Sequence, residues 1–403
     1  MASPEPIFLL PGDGKLVELV EEAYEKEVVL QELLAAHPQL LASVGSAQEP
    51  GRWLLIEREA ALPSSAGGPG HWSVDHLFVD AAGIPTMVEV KRSSNTQIRR
   101  EVVGQMLDYA ANAVVYWPVE SLIAKFEATS RAEDMDPETR LRDFLEPNVD
   151  SETFWQTVKT NLEAAKVRLV FVSDAIPPEL RRIVEFLNEQ MTRAEVLAVE
   201  VRQFKSKEGT VLVPHLIGRT ASAETVKSSG SRQQSWDRTS ILEELRAKSD
   251  GETSNAAGAL MDWAAENGMS GSYGKGAVDG SWSPSWDAPG GKCSPITIWT
   301  FGKVEVNFEY LKKVPAFQRR ASRAEVARRM EQVFGEKIPE AKLDKRPSFP
   351  AGKLRQSSSM NELQQTLLWI RERSGQAVSR ASLVDAGAMP REPDGDASET
   401  PSP

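Results

Sequence analysis

The segment Pro85-Thr86-Met87-Val88-Glu89-Val90-Lys91 constrains this chain more than any other. Side chains alternate faces along a strand, so Val88 and Val90 share one face and Glu89 and Lys91 the other. Such a strand can bury its valines against a helix and present an acid and a base together at a cleft. Trp72 to Asp80 reads as the preceding strand, with Ala81 to Ile84 joining the two and Gly83 as the turn residue. A hairpin of these strands sets Asp75 beside Glu89. Two adjacent carboxylates repel each other, and a bound cation resolves that conflict. Hard divalent ions take oxygen ligands, which Asp75, Glu89 and the backbone carbonyl of Val90 can supply. Lys91, on the Glu89 face, is placed to orient a water or to offset developing negative charge.

Spacing alone does not single this triplet out. Acid-x-Lys occurs three times, at Asp13-Gly14-Lys15, Glu89-Val90-Lys91 and Glu340-Ala341-Lys342, which is roughly the number chance provides. Context separates the second. Only it lies on an apolar alternating strand, follows a strand carrying an Asp, and precedes a helix whose polar residues Gln105 and Tyr109 are four apart and share a face.

The surrounding periodicity predicts a helix over Lys15 to Ala36, stopped by Pro38, and a strand at Trp53 to Ile56. It predicts a helix over Thr96 to Asn112, a short strand at Ala113 to Trp117, and helices over Pro137 to Leu145 and Ser151 to Ala165. A buried strand at Val167 to Ser173, a helix from Pro177-Pro178 to Met191 and strands at Glu195 to Gln203 and Thr210 to Gly218 follow. The domain plan is an N-terminal tail over 1–14, a first domain over 15–219, a Ser/Thr/Gln-rich linker over 220–238, a smaller α+β domain over 239–374 and a disordered tail over 375–403.

This order of elements, with Gln105-Met106-Leu107-Asp108-Tyr109 after the acid-x-Lys strand, resembles the PD-(D/E)XK nuclease superfamily and in particular its RecB-like branch, which carries a Gln-x-x-x-Tyr helix. The resemblance covers about Lys15 to Gly218, half the chain. It departs from the family pattern in one place, where Val74 precedes Asp75 instead of a proline. It implies an α/β, restriction-endonuclease-like core with a central mixed sheet flanked by helices. It implies Mg2+ or Mn2+ as cofactor and hydrolysis of phosphodiester bonds, with DNA as the first choice of substrate, in repair or in defence. An acid on the first helix belongs to the family's site, and Glu27 is the best match, with Glu32 as the fallback. The expected catalytic set is Asp75, Glu89, Lys91, Gln105, Tyr109 and Glu27, with Arg92, Arg99 and Arg100 as phosphate contacts. His76 should point to the face opposite Asp75 and be structural, and Asp174 is assigned no role. The competing readings are a catalytically silent module that recognises nucleic-acid ends and a scaffold acting through the second domain.

Composition sets the outer limits. A net charge of −11 excludes a uniformly basic coat, so any nucleic-acid surface must be local. The strongest local excess of positive charge lies between Gly302 and Arg346, where 12 basic residues face 7 acidic ones. This stretch is the candidate surface for nucleic acid, for a protein partner or for a homodimer. Trp282, Trp286 and Trp299 are expected to fill the core of a small sheet. One cysteine, Cys293, and four histidines exclude the usual structural zinc patterns. No apolar run is long enough for a membrane span and no secretory signal is evident, so a reducing cytoplasm is the expected compartment.

Overall fold

The structure, a computed structural model, describes residues 7–12, 14–45, 51–63, 70–94, 101–147, 149–220, 236–274 and 279–385. The chain divides into two compact units, 1–230 and 231–403.

The first unit is mixed α/β. In chain order it runs β1 (Ile7–Leu9), β2 (Val17–Glu21), α1 (Glu27–Ala36), β3 (Trp53–Pro63), β4 (Gly70–Asp80), β5 (Pro85–Val90), α2 (Glu101–Tyr116), α3 (Val119–Ala132), α4 (Pro137–Phe144), α5 (Ser151–Glu163), β6 (Arg168–Ser173), α6 (Pro178–Gln190), β7 (Glu195–Lys205) and β8 (Thr210–Ile217). These strands form one sheet in the order β1-β2-β7-β6-β5-β4-β3, with β8 also paired to β7. The β3-β4-β5 part is antiparallel, whereas β5, β6 and β7 run parallel. Helices flank the sheet. Val88, Val90, Val170, Val172, Leu197 and Val199 pack with Leu30 and Leu34 of α1. Met87, Leu77 and Val79 pack with Val102, Met106 and Tyr109 of α2.

Three sequence expectations need correction. The helix predicted over Lys15 to Ala36 is a strand followed by a helix that begins only at Glu27. Leu16 and Val20, which lent that stretch its helical spacing, are exposed beside the buried Leu19; an outward apolar row on a strand imitates the 3.6-residue period. Ile7–Leu9, placed in a tail, pairs with β2. Ala113 to Trp117 is not a strand, because Ala113 continues the buried α2 stripe of Val102, Met106 and Tyr109. The sequence reading also left α3 unassigned; it buries Val119, Leu122, Phe126 and Ser130 at spacings of three and four.

The second unit contains α7 (Arg238–Lys248), α8 (Gly251–Glu266), β9 (Ser270–Tyr273), β10 (Ser281–Ala288), β11 (Gly291–Cys293), β12 (Ile296–Trp299), β13 (Lys303–Val306), α9 (Phe308–Leu311), α10 (Arg320–Phe334), β14 (Ser348–Pro350) and α11 (Ser357–Asp385). Its antiparallel sheet has the order β11-β10-β12-β13-β14, with β9 on β10. Trp282 and Trp286 lie in the core, while Trp299 is half-buried and stacks on Phe301. α11 continues to Asp385, into the stretch expected to be tail.

The turn between β4 and β5 sets the geometry of the site. Asp80 accepts hydrogen bonds from the Ala82 and Ile84 N–H groups at 3.0 and 2.8 Å. Asn161 of α5 donates to the carbonyls of Ala82 and Gly83 at 3.1 and 2.8 Å. Gly83 has φ +71°, and a Cβ there would stand 3.0 Å from Thr157 Cγ2 and 3.2 Å from Val158 N. Both the left-handed backbone and the contact with α5 demand glycine. Gly83→Ala should therefore destabilise the first unit by about 1–3 kcal/mol. Urea denaturation checks this, and an unchanged midpoint would contradict the packing described.

Candidate active site

The β4–β5 register pairs His76 with Val88, which sets Asp75 and Glu89 as neighbours across the two strands. Asp75 Oδ2 accepts a hydrogen bond from the Val90 N–H at 2.7 Å. This carboxylate thus fixes the end of β5 as well as facing the Lys91 ammonium. Lys91 follows at once, and its backbone N–H extends the parallel ladder to the Val172 carbonyl at 2.9 Å. Its ammonium lies 2.9 Å from Glu89 Oε1, 3.3 Å from Glu27 Oε1 and 3.7 Å from Asp75 Oδ2, and donates to the Val90 carbonyl at 2.9 Å. Glu27, the first residue of α1, also accepts from the Arg92 N–H at 3.1 Å. Four side chains from α1, β4 and the end of β5 therefore meet at one ammonium group. Glu32 lies exposed farther along α1.

α1 is held over this end of the sheet by a residue on the opposite face. His76 is fully buried, stacks on Phe78 at 5.7 Å and places Nε2 2.9 Å from the Gln31 carbonyl. A carbonyl only accepts, so Nε2 carries the proton. Burial pushes the His76 pKa down to about 4, against the opposing pull of that hydrogen bond. The neutral ring is therefore the working form at neutral pH, a fixed donor that ties α1 to β4.

Gln105 and Tyr109 lie one helical turn apart on α2 and hydrogen-bond to each other. The Tyr109 hydroxyl donates to the Ser73 carbonyl at 2.8 Å, two residues before Asp75. These contacts support the strand that carries Asp75. Burial raises the Tyr109 pKa, with the Glu89 and Asp75 charges adding to it, so the phenol stays protonated as that bond requires. The Arg92 guanidinium donates to the Glu25 carbonyl at 3.0 Å, which staples the entry to α1. Arg99 and Arg100 lie outside the described residues.

One residue without an assigned role proves to be built into the site's support. Asp174, at the end of β6, accepts from the Ser93 N–H at 2.7 Å, from Ser173 Oγ at 3.1 Å and from the Ala175 N–H at 3.2 Å. It ties the chain leaving Lys91 and Arg92 to the neighbouring parallel strand. Only its position after a buried strand hinted at this; the contact depends on strands brought together by the fold.

The electrostatics favour a cation. Three carboxylates share one ammonium, so the cluster carries surplus negative charge. Glu89 is 3% exposed, and its Oε2 is a buried acceptor with no hydrogen-bond partner. Burial and then the Asp75 charge push its carboxyl up to about 7, against the pull of Lys91. Burial disfavours the Lys91 ammonium, but the charges of Glu89, Asp75 and Glu27 outweigh it and hold its pKa above the usual lysine range. Asp75, Glu89 and the Val90 carbonyl could supply oxygen ligands of the kind Mg2+ or Mn2+ takes, and the unsatisfied Glu89 oxygen is the observation that fits such an ion. Among the described residues, no three acidic, His or Cys side chains are arranged around a common point as ligands; the ammonium stands among the carboxylates. A metal ion at that point would require Lys91 to draw back from them.

Metal-free stability should report the buried Glu89. The folded chain keeps its proton from the ordinary carboxyl value of 4.5 up to about 7, where the unfolded chain has lost it. The stability this provides is complete below the unfolded value and is lost as pH rises through about 7. Glu89→Gln cannot ionise, so in EDTA its stability relative to wild type should rise on the order of 2 kcal/mol from about pH 5 to pH 8. A pH-independent difference in urea denaturation would contradict a raised Glu89 pKa. Comparisons with family models, with curated proteins and with solved structures find no match for this chain, so the case for its function rests on the site itself.

Proposed function

We infer that the first unit is a metal-dependent nuclease with a restriction-endonuclease-like core, hydrolysing phosphodiester bonds with DNA as the preferred substrate. The observation that carries this reading is the convergence of Asp75, Glu89 and Glu27 on Lys91 at the end of β5, with one Glu89 oxygen left unsatisfied. Asp75, Glu89 and the Val90 carbonyl would hold the ion. Bound there, a divalent ion supplies an activated water and offsets charge on the phosphate.

The chain's own groups supply the rest. Lys91 arrives protonated, because its carboxylate neighbours keep it so. Released from those carboxylates, it is a donor for the non-bridging oxygens of the phosphate, whose negative charge grows as the water attacks. Glu27 keeps its other contact, the Arg92 N–H, and so holds α1 against the exit of β5 while Lys91 moves. Asp75 performs two tasks, facing the Lys91 ammonium and anchoring Val90. Tyr109 holds the Ser73 backbone, which fixes where Asp75 emerges. No helix among the described residues is long and apolar enough to cross a membrane.

A silent module of the same architecture would have no chemical use for the full set of Asp75, Glu89 and Lys91. The purified protein should cut DNA with Mg2+ or Mn2+ and stop cutting in EDTA. Lys91→Ala should lower the cleavage rate about 10²–10³-fold, as for loss of one donor that stabilises developing charge, with the circular dichroism spectrum unchanged. Full activity in that variant would refute the assignment. A panel of linear, circular, single-stranded, double-stranded and RNA substrates assigns the specificity.

A further inference from the structure

The second unit has its own positively charged face, and this face is organised by two aromatic rings. Tyr310 is 36% exposed at the end of α9. The Lys313 ammonium lies 5.6 Å from its ring centroid and the Arg346 guanidinium 5.5 Å from it, with Arg346 Nη1 3.5 Å from the hydroxyl. Trp369 of α11 is half-buried against Phe317 at 6.1 Å. It carries a second pair of cations, Arg329 of α10 at 4.3 Å and Arg373 at 5.4 Å. Phe317 follows Lys313 by four residues, so the two clusters are joined by a stretch of backbone spanning at most about 14 Å.

The acids nearby offset only part of this charge. Arg346 is held between Glu305, fully buried at 3.7 Å, and Glu309 at 3.5 Å, and Arg329 pairs with Glu325 at 3.0 Å. Lys312 is 59% exposed against 38% for Asp344, Arg328 56% against 34% for Glu325, and Lys313 and Arg373 are exposed as well. These four cations carry the outward positive charge. A ring beneath a flexible cation limits its rotamers and so lowers the ordering cost of a later contact. Cations spread along a strip and held in advance suit a regular polyanion, whose binding gains from counterion release. A protein partner's acidic patch offers no such regular spacing.

We propose that the second unit binds the phosphate backbone of nucleic acid, without regard to sequence, along a strip built from Tyr310 with Lys313 and Arg346 and from Trp369 with Arg329 and Arg373. The assignment stands on the second unit alone and does not need the first to be a nuclease.

The test is fluorescence anisotropy of a short labelled DNA duplex with the full chain in EDTA, so that cleavage at Lys91 neither supports nor sinks the result. The wild type should bind, and its affinity should fall steeply between about 50 and 200 mM salt. Lys313→Gln with Arg373→Gln should weaken binding on the order of tenfold and make the log-log salt slope shallower by about two. Lys313→Gln alone, at an exposed side chain, should make the slope shallower by about one. Tyr310→Phe should leave binding unchanged, whereas Tyr310→Ala should weaken it. No duplex binding by the wild type, unchanged affinity and slope in the glutamine variants, or displacement of the duplex by polyglutamate as readily as by unlabelled DNA would overturn the proposal. The last result would instead assign the strip to an acidic protein.

Discussion

The Lys91 ammonium sits where three carboxylates converge, and much of the first unit exists to keep that meeting in register. Any one of these pairs at a surface would contribute little, because water screens it and the side chains lose freedom. Here Lys91 is 17% exposed and Glu89 only 3%, so the charges interact with less screening, and loss of the ammonium would leave three carboxylates uncompensated. Such an arrangement is costly as a device for stability alone. It becomes reasonable when a stronger cation is to take part of the load, since the surplus negative charge and the unsatisfied Glu89 oxygen are then provisions for binding.

The fold meets this requirement through contacts that lie outside the cluster. The Gly83 turn sets the β4–β5 register and is fastened to α5 by Asn161. Asp75 ties down Val90, Tyr109 ties down Ser73, and Asp174 ties down Ser93. His76, pointing through the sheet to the other side, holds the Gln31 carbonyl and with it the helix that delivers Glu27. Each is a hydrogen bond between a side chain and the backbone near a site residue. They are directional, which charge alone is not. The parallel arrangement of β5, β6 and β7 adds to this by bringing the ends of neighbouring strands to one edge, where loops can carry functional groups.

Much of this was legible in the sequence because its cause was local. Alternation between Thr86 and Lys91 settled which side chains share a face, and the apolar run before Ser173 and the prolines at 177 and 178 marked β6 and the start of α6. What escaped had a cause elsewhere in the chain. Leu16, just before β2, and Val20, within it, imitate a helical stripe although both face solvent, and only pairing with β1 and β7 reveals the strand. Ala113 looked like the start of a strand because its neighbours are apolar, whereas its place was decided by the stripe behind it in α2. Asp174 lies 81 residues from its partner Ser93, and His76 lies 45 from Gln31. No window on the sequence contains both members of either pair. Glu27 was found only as a family expectation, and its contact with Lys91 arises from the entry of α1 rather than from any local pattern.

The central claim is that the cluster around Lys91 is a divalent-cation site in waiting. Anomalous diffraction from crystals soaked in Mn2+ tests it most directly. The account predicts one strong Mn2+ peak bridging the Asp75 and Glu89 carboxylates beside the Val90 carbonyl, with the Lys91 ammonium withdrawn from Glu89 and the peak absent in Asp75→Asn crystals. A cluster that stays free of Mn2+, with Lys91 still at ion-pair distance from all three carboxylates, would contradict it.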